Sequence, residues 1–490
     1  MVKKLEYLLD DVGVTCVKGD TGLDAGSLEF DSRRVTEGSI YFAIRGTGQD
    51  GHSFIESAVS NGAAAVICET MPANLREEVC YVQVADSASA LGIMASAMFD
   101  HPSRRIKLTG VTGTNGKTTT ATLLFRLFTA MGNRAGLIST VGHIVGEEKI
   151  QATHTTPDPV TINRLLSGME RAGCEYCFME VSSHAIVQQR IGGLHFAGGI
   201  FTNISHDHLD YHGSYNEYLK AKKRFFDTLQ GDAFALVNKD DRNSGFMVQN
   251  TGAMVKSFGM KSMADFRGSI VEKDQAGMLL DINGSQVWVN FIGAFNASNI
   301  LAVYAGGVLL GADAGEVLRV ISTLTPVEGR FETIRSADGI TAIVDYAHTP
   351  DALENVVRAI KQMLGGRSRL ITVTGAGGDR DRGKRPVMAA IAAANSSKVI
   401  LTSDNPRSED PDEIINEMLT GIEEGERDKV LCISNRKEAI RVACSIAGKG
   451  DFVLVAGKGH ETYQEIAGVR HHFDDREVVR SAFNLNKTTG

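Results

Sequence analysis

Residues Leu108 to Thr122 read LTGVTGTNGKTTTAT, preceded by an apolar run that begins at Ile106. The run predicts a strand, the glycines a tight turn, and the residues from Lys117 onward a helix. Gly113 and Gly116 leave backbone N–H groups free to close around phosphate oxygens, with Thr114 and Asn115 between them. Lys117 can reach the outer phosphates and the Thr118 hydroxyl can ligate Mg²⁺, with Thr119 next along the helix start, where the dipole favours anions. The strict G-x-x-x-x-G-K-[ST] pattern is missed by one position, because Val111 stands where its first glycine belongs. A strand before and a helix after favour a nucleoside triphosphate site over a chance glycine-rich turn.

The rest of the chain supplies domains around that loop. A length of 490 residues, 43% of them hydrophobic, predicts two to four domains with cores of their own. The net charge is −8 and no long Lys/Arg-rich run stands out, which argues against nucleic acid as a partner. The start, MVKKLEYLLDD, lacks the apolar segment of a signal peptide. No run approaches the ~18 apolar residues of a membrane span. Seven cysteines, an odd number, suit a reducing cytoplasm. Cys174 and Cys177 form a lone C-x-x-C in an apolar run and are expected to be buried, inert thiols.

Strands are expected at 39–46 and 63–69, with a helix ending at Gly62 between them. His101-Pro102-Ser103 reads as a linker. From 105 to about 325 strands alternate with helices (117–131, 160–171, 214–230), then a hairpin region turns at Asn283-Gly284, and helices follow at 297–310 and 314–324. Past Pro326–Arg330 the alternation restarts with helices at 351–363, 384–394, 411–422 and 435–447. The expectation is an α/β protein divided at 1–102, 103–328, where a mainly parallel sheet carries the P-loop-type turn, and 329–490, a separate doubly wound unit. Gly375, Gly377 and Gly378 match a dinucleotide fingerprint only in part, since Arg380 replaces its third glycine, and no nicotinamide cofactor is expected.

Polar clusters close several apolar strands. Glu180 in MEVSSHA ends one strand, where a carboxylate is costly unless paired or metal-bound. FTNISHDHLDYHG (201–213) crowds His206, Asp207, His208 and Asp210 into five residues, suiting a metal or a polar loop. YLKAKKRFF (218–226) places cations beside aromatics on a helix, which could equally be a solvated face.

Together with GAFNASN (293–299), EGRFE (328–332), DYAHTPD (345–351), GAGGDRDRGKRP (375–386) and SDNPRSEDP (403–411), these stretches resemble the Mur ligase family, the ATP-dependent enzymes that build the peptide stem of the bacterial cell wall. The resemblance covers nearly the whole chain and is strongest to members adding the third residue of the peptide. It implies three domains: an N-terminal one for a UDP-sugar, a central ATPase and a C-terminal Rossmann-like domain for the incoming amino acid. It implies phosphorylation of the D-glutamate carboxylate of UDP-N-acetylmuramoyl-L-alanyl-D-glutamate by ATP, then attack of an amine on the acyl phosphate. Lys117, Glu180, Lys222 and His208 are the implied catalytic group. Thr118, Glu180, His208 and Lys222, the last as a CO₂-derived carbamate, are the implied Mg²⁺ ligands. Asn296, Asn299, Arg330, Asp345 and His348 join the loop around ATP by resemblance, although Asn296 could instead cap the following helix. Ser32, Thr47, Gly48 and Gln49, with Thr155, Thr156, Ser182, Gln188 and Arg190, are the implied contacts to the UDP-sugar peptide.

Asp404-Asn405-Pro406-Arg407 resembles the form found in members that add meso-2,6-diaminopimelate, and Arg380, Gly457 and Glu461 match the remaining contacts. A guanidinium can pair with the second carboxylate of diaminopimelate, which lysine lacks. The partners expected are therefore small molecules. A monomer is the favoured oligomeric state. A lysine-adding relative, the fourth Mur ligase, a folylpolyglutamate synthetase and a nucleotide-dependent switch are the alternatives.

Overall fold

The computed structural model describes residues 2–484 apart from Thr47, His206, His208 and Arg367. Three sheets organise them. The first is five-stranded, ordered Val14–Lys18, Cys80–Val84, Ala63–Cys68, Ser39–Phe42, Ser27–Glu29, parallel except at the Val14–Lys18 edge. The helix Ser87–Met98 covers it, started by Asp86, whose carboxylate accepts from Ala88 N and Ser89 N.

The central sheet has eleven strands. Its parallel heart runs Ala135–Ser139, Tyr176–Glu180, Lys107–Thr112, Gly198–Phe201, Phe234–Asn238, Met254–Gly259. Strand order reverses at Lys107–Thr112, which puts a crevice at its carboxyl end, where ligands of such sheets bind. The helices Lys117–Ala130 and Ala294–Leu309 pack one face and Pro159–Arg171 and Tyr215–Asp227 the other, so each face carries its own apolar core. Gly142–Val145 and Glu148–Ile150 extend one edge antiparallel; at the other, Phe266–Lys273 joins parallel to Met254–Gly259 and carries the antiparallel strands Met278–Ile282 and Ser285–Val289, with the expected turn at Asn283-Gly284.

The last sheet is six-stranded, ordered Glu332–Arg335, Thr341–Asp345, Phe452–Ala456, Leu370–Thr374, Lys398–Leu401, Val430–Cys432, and only its first pairing is antiparallel. Helices at Pro350–Lys361, Lys384–Asn395, Pro411–Leu419 and Arg436–Ile446 flank it. Thr349 and Asp410 cap two of these, each followed by a proline at the first helical position.

The alternation of strands and helices expected from the sequence is present in order. Some expected strands are shorter, for example Ser39–Phe42 within 39–46, because the chain leaves the sheet ahead of the polar loop that starts at Arg45 and Gly46. The hairpin Tyr463–Ile466 with Val469–His472 and the helix Asp475–Ala482 were not anticipated. The hairpin strands are too polar to show an apolar alternation. Cys174 and Cys177 are buried, with thiol pKa values raised by burial, in line with inert thiols.

Candidate active site

The phosphate-loop residues sit between Lys107–Thr112 and the helix Lys117–Ala130. Gly113 needs its missing side chain, because a Cβ there would lie 2.0 Å from Thr202 Oγ1. Gly116 takes φ +86° and faces Asn299, whose Oδ1 would be 2.5 Å from a Cβ. Thr114 N donates to Asn203 O at 2.8 Å and Asn115 N to Asn203 Oδ1 at 3.0 Å, so the FTNIS strand end shapes the loop.

Glu180 is buried at the end of its strand and is fully served by donors. Oε1 accepts from Ser139 Oγ (2.6 Å), Thr140 N (2.8 Å) and Thr140 Oγ1 (3.0 Å), and Oε2 from Thr118 Oγ1 (2.9 Å). Thr118 Oγ1 in turn accepts from Arg330 Nη2 at 2.9 Å. Lys117 Nζ donates to Gly113 O and Thr114 O, both at 2.8 Å. Lys222 is buried too, so its helix face is not solvated. Its Nζ donates to Gly113 O at 2.8 Å and lies 4.6 Å from the Tyr218 ring centre. Burial depresses the pKa of both lysines; that of Lys222 falls well below the ordinary value, with Lys117 nearby pushing the same way.

The C-terminal sheet faces this loop from across the cleft. Arg330 stacks on Tyr346 at 4.4 Å. Asp345 is buried and accepts from Phe331 N at 2.6 Å, its pKa raised to about 6 by desolvation although Arg330 opposes the shift. His348 holds Tyr346 O through Nδ1 at 2.8 Å and is pushed down to about 4 by burial. Asp351 Oδ2 accepts from Asn115 Nδ2 (2.7 Å) and Ser205 Oγ (3.1 Å), a direct tie between the start of the helix Pro350–Lys361 and the phosphate loop. Asn296 does not cap its helix; Gly293 occupies the cap, and Asn296 Nδ2 donates back to Ile292 O at 2.8 Å.

A cavity of about 1530 Å³ joins these groups to two further clusters. On one side, Thr156 Oγ1 donates to Glu180 O at 2.8 Å, Thr155 meets Thr140 at 3.1 Å, and Ser182 caps the helix Ser183–Val187. Arg190 Nη1 donates to Thr156 O at 2.7 Å, and Gln188 Oε1 takes Arg190 Nη2 at 2.6 Å. On the far side stand Arg380, Arg407 and Glu461. Arg407 Nη1 donates to Gly378 O at 2.6 Å. Asn405 Nδ2 donates to Glu461 Oε2 at 2.9 Å, and the buried Lys458 Nζ bridges Asn405 Oδ1 (2.9 Å) and Glu461 Oε2 (2.8 Å). Asp404 is buried with Oδ2 lacking a hydrogen-bond partner among the described residues. Burial opposes its charge, yet Lys458 and Arg436 hold its pKa below the ordinary value. Gly457 lies against it at φ +121°.

Not every expected residue joins the cavity. Ser32, Gly48 and Gln49 lie in the N-terminal unit and, like Gly113, Gln188, Asp404, Asn405, Pro406 and Gly457, are not part of its lining. His208 and Thr47 lie outside the described residues. Tyr346, Asp351 and His460 line the cavity without having been singled out, although the first two belong to DYAHTPD and the third precedes Glu461.

Three Mur ligase family models match this chain: the catalytic domain at residues 26–99, the middle domain at 111–307 and the glutamate ligase domain at 329–459. The chain belongs to the Mur ligase family. A protein of Phocaeicola vulgatus named UDP-N-acetylmuramoyl-L-alanyl-D-glutamate–2,6-diaminopimelate ligase is 54% identical over 98% of this chain and 99% of its own. One of the same name from Bacteroides fragilis is 53% identical over 98% of this chain and 99% of its own. A solved structure bearing that name superposes with a TM-score of 0.69 at 31% identity, covering 99% of both chains. The Thermotoga maritima MurF ligase in complex with ADP shares the fold at TM-score 0.61, with 19% identity over 93% of this chain and 96% of that one.

Proposed function

We propose that this chain is an ATP-dependent ligase that joins meso-2,6-diaminopimelate to the D-glutamate of UDP-N-acetylmuramoyl-L-alanyl-D-glutamate, a step of peptidoglycan precursor synthesis. The observation that carries the reading is the single cavity running from the phosphate loop to the paired guanidinium side chains Arg380 and Arg407. The relatives' names support the same substrates. The division 1–102, 103–328 and 329–490 assigns the UDP-sugar, ATP and the amino acid to successive units.

The carboxylate is a poor electrophile. Its oxygen takes the γ-phosphoryl group and ADP departs; the amine nitrogen then attacks the acyl carbon, the C–O bond to phosphate breaks, and the nitrogen gives up a proton. Lys117 and Arg330 offset the charge of two anions brought together. Arg190 is suited to hold an anionic part of the sugar peptide, and Arg407 the distal carboxylate of diaminopimelate. Glu461 would meet the distal ammonium.

Thr118 and Glu180, an oxygen-only pair with 2.9 Å between Oγ1 and Oε2, fit Mg²⁺, which takes few protein ligands and completes its shell with phosphates and water. Among the described residues no cluster of three His, Cys, Asp or Glu could hold a metal by itself. Bound there, Mg²⁺ would neutralise phosphate charge. Lys222, buried and with its pKa lowered chiefly by that burial, suits carbamate formation: the unprotonated nitrogen bonds to the carbon of CO₂, a proton leaves, and an anionic group stands where an amine was. His208 is the further ligand proposed.

All seven cysteines are unpaired, and no helix among the described residues is long and apolar enough to cross a membrane. Both fit work in the cytoplasm. Phosphate release measured with each substrate omitted in turn, with diaminopimelate, lysine and ornithine compared, tests the function. Release that needs neither acceptor nor amine would refute it.

A further inference from the structure

Arg380 and Arg407 come from different loops, one after Leu370–Thr374 and one after Lys398–Leu401. Neither loop is regular. Asp379 and Arg407 both sit at φ +52°, a conformation that costs a non-glycine residue free energy and persists only where neighbours enforce it. The neighbour common to both loops is Glu409, which does not line the cavity. Its Oε1 accepts from Arg385 Nη2 at 2.8 Å and from Asp379 N. Its Oε2 accepts from Arg385 Nη1 at 2.9 Å and Arg382 Nη2 at 2.8 Å.

Arg385 is fully buried, and beyond its fork onto Glu409 it donates to Glu417 Oε2 at 2.7 Å and Gly377 O at 3.2 Å. Asp379 closes the frame by accepting from Ser408 Oγ at 2.7 Å. One carboxylate thus receives four hydrogen bonds, two from the Arg380 loop and two from Arg385 in the first turn of the helix that follows it, while standing two residues after Arg407.

We infer that Glu409 and Arg385 are positioning residues that fix the spacing of the Arg380 and Arg407 guanidinium groups, and so set the preference for an amino acid with a distal carboxylate. The inference rests on the proposed function. It depends on an acceptor-only group: glutamine at 409 keeps the shape but turns an NH₂ toward donors that already need acceptors. The buried Arg385 would then lack part of its compensation, and the loops would be free to relax.

The test is steady-state kinetics on the full chain, parent against Glu409→Gln, with melting temperatures to verify folding. The expected result is a KM for diaminopimelate raised at least tenfold, kcat within threefold, and KM for ATP and for the UDP-substrate within twofold. The kcat/KM ratio of diaminopimelate to lysine should fall by the same factor as KM rises. An unchanged ratio, or a loss shared equally with ATP, overturns the inference. If Glu409→Gln does not fold, Arg382→Ala removes one exposed hydrogen bond to the same carboxylate, and at least a threefold fall in the ratio is expected. A parent that does not turn over diaminopimelate removes the functional reading itself; a selective parent with equally selective variants removes only the clamp.

Discussion

Lys117 and Lys222 share an acceptor: the carbonyl oxygen of Gly113 takes Nζ of each at 2.8 Å. Two ammonium groups on one oxygen repel, burial penalises both charges, and the pKa of Lys222 is lowered further by the charge of Lys117. An amine so disposed is relieved by losing its proton, or by becoming an anion.

From that relationship, Lys222→Ala should abolish most ligase activity, and short carboxylic acids such as acetate or propionate should restore part of it. They would supply a carboxylate where the proposed carbamate would stand. Activity without rescue at any acid concentration would speak against the carbamate, while melting curves would report whether the loop survived.

Arg330 reaches the helix start across the cleft, so Arg330→Ala should cut kcat/KM for ATP roughly 10- to 100-fold, the equivalent of about 1.5–3 kcal/mol for a lost charged hydrogen bond. Tyr346 would lose its stacked cation as well. Initial rates at varied ATP measure this; an unchanged ATP dependence would separate Arg330 from the nucleotide.

Arg407→Ala should lower kcat/KM for diaminopimelate by roughly 10- to 100-fold, again about 1.5–3 kcal/mol, with the ATP parameters little altered. Lysine, having no distal carboxylate, should lose much less. Competition between the two amino acids in one assay reads the change directly, and parallel losses would place the discrimination elsewhere.

Glu409 should also mark the acid stability of the protein. Its pKa is lowered from 4.5 to about 2, chiefly by hydrogen bonding to Arg385. A depressed folded-state pKa contributes stability that is present above about 4.5 and is lost as pH falls toward 2. The melting temperature of Glu409→Gln should therefore fall less steeply than that of the parent between pH 5 and pH 3. Parallel curves would show that the carboxylate is not held by the arginines in solution.

The succession of strands and helices and the glycine-rich turn between Lys107–Thr112 and Lys117–Ala130 were legible in the amino-acid sequence. Those signals are local: apolar periodicity, glycines where the chain turns, and proline or Asp/Ser/Thr where helices begin. Glu180 could be marked as a costly carboxylate from its strand alone. What it pairs with could not, because Ser139, Thr140 and Thr118 arrive from two other elements. Lys222 read equally well as a solvated lysine, and burial against Gly113 was decided by packing 109 residues apart. Asp351, Glu409 and Arg385 carried no local signal beyond being charged, since their roles exist only where two loops or two units meet. Local chemistry determined which elements form; long-range packing decided which polar groups lose water together, and with that loss came their altered ionisation and their fixed geometry.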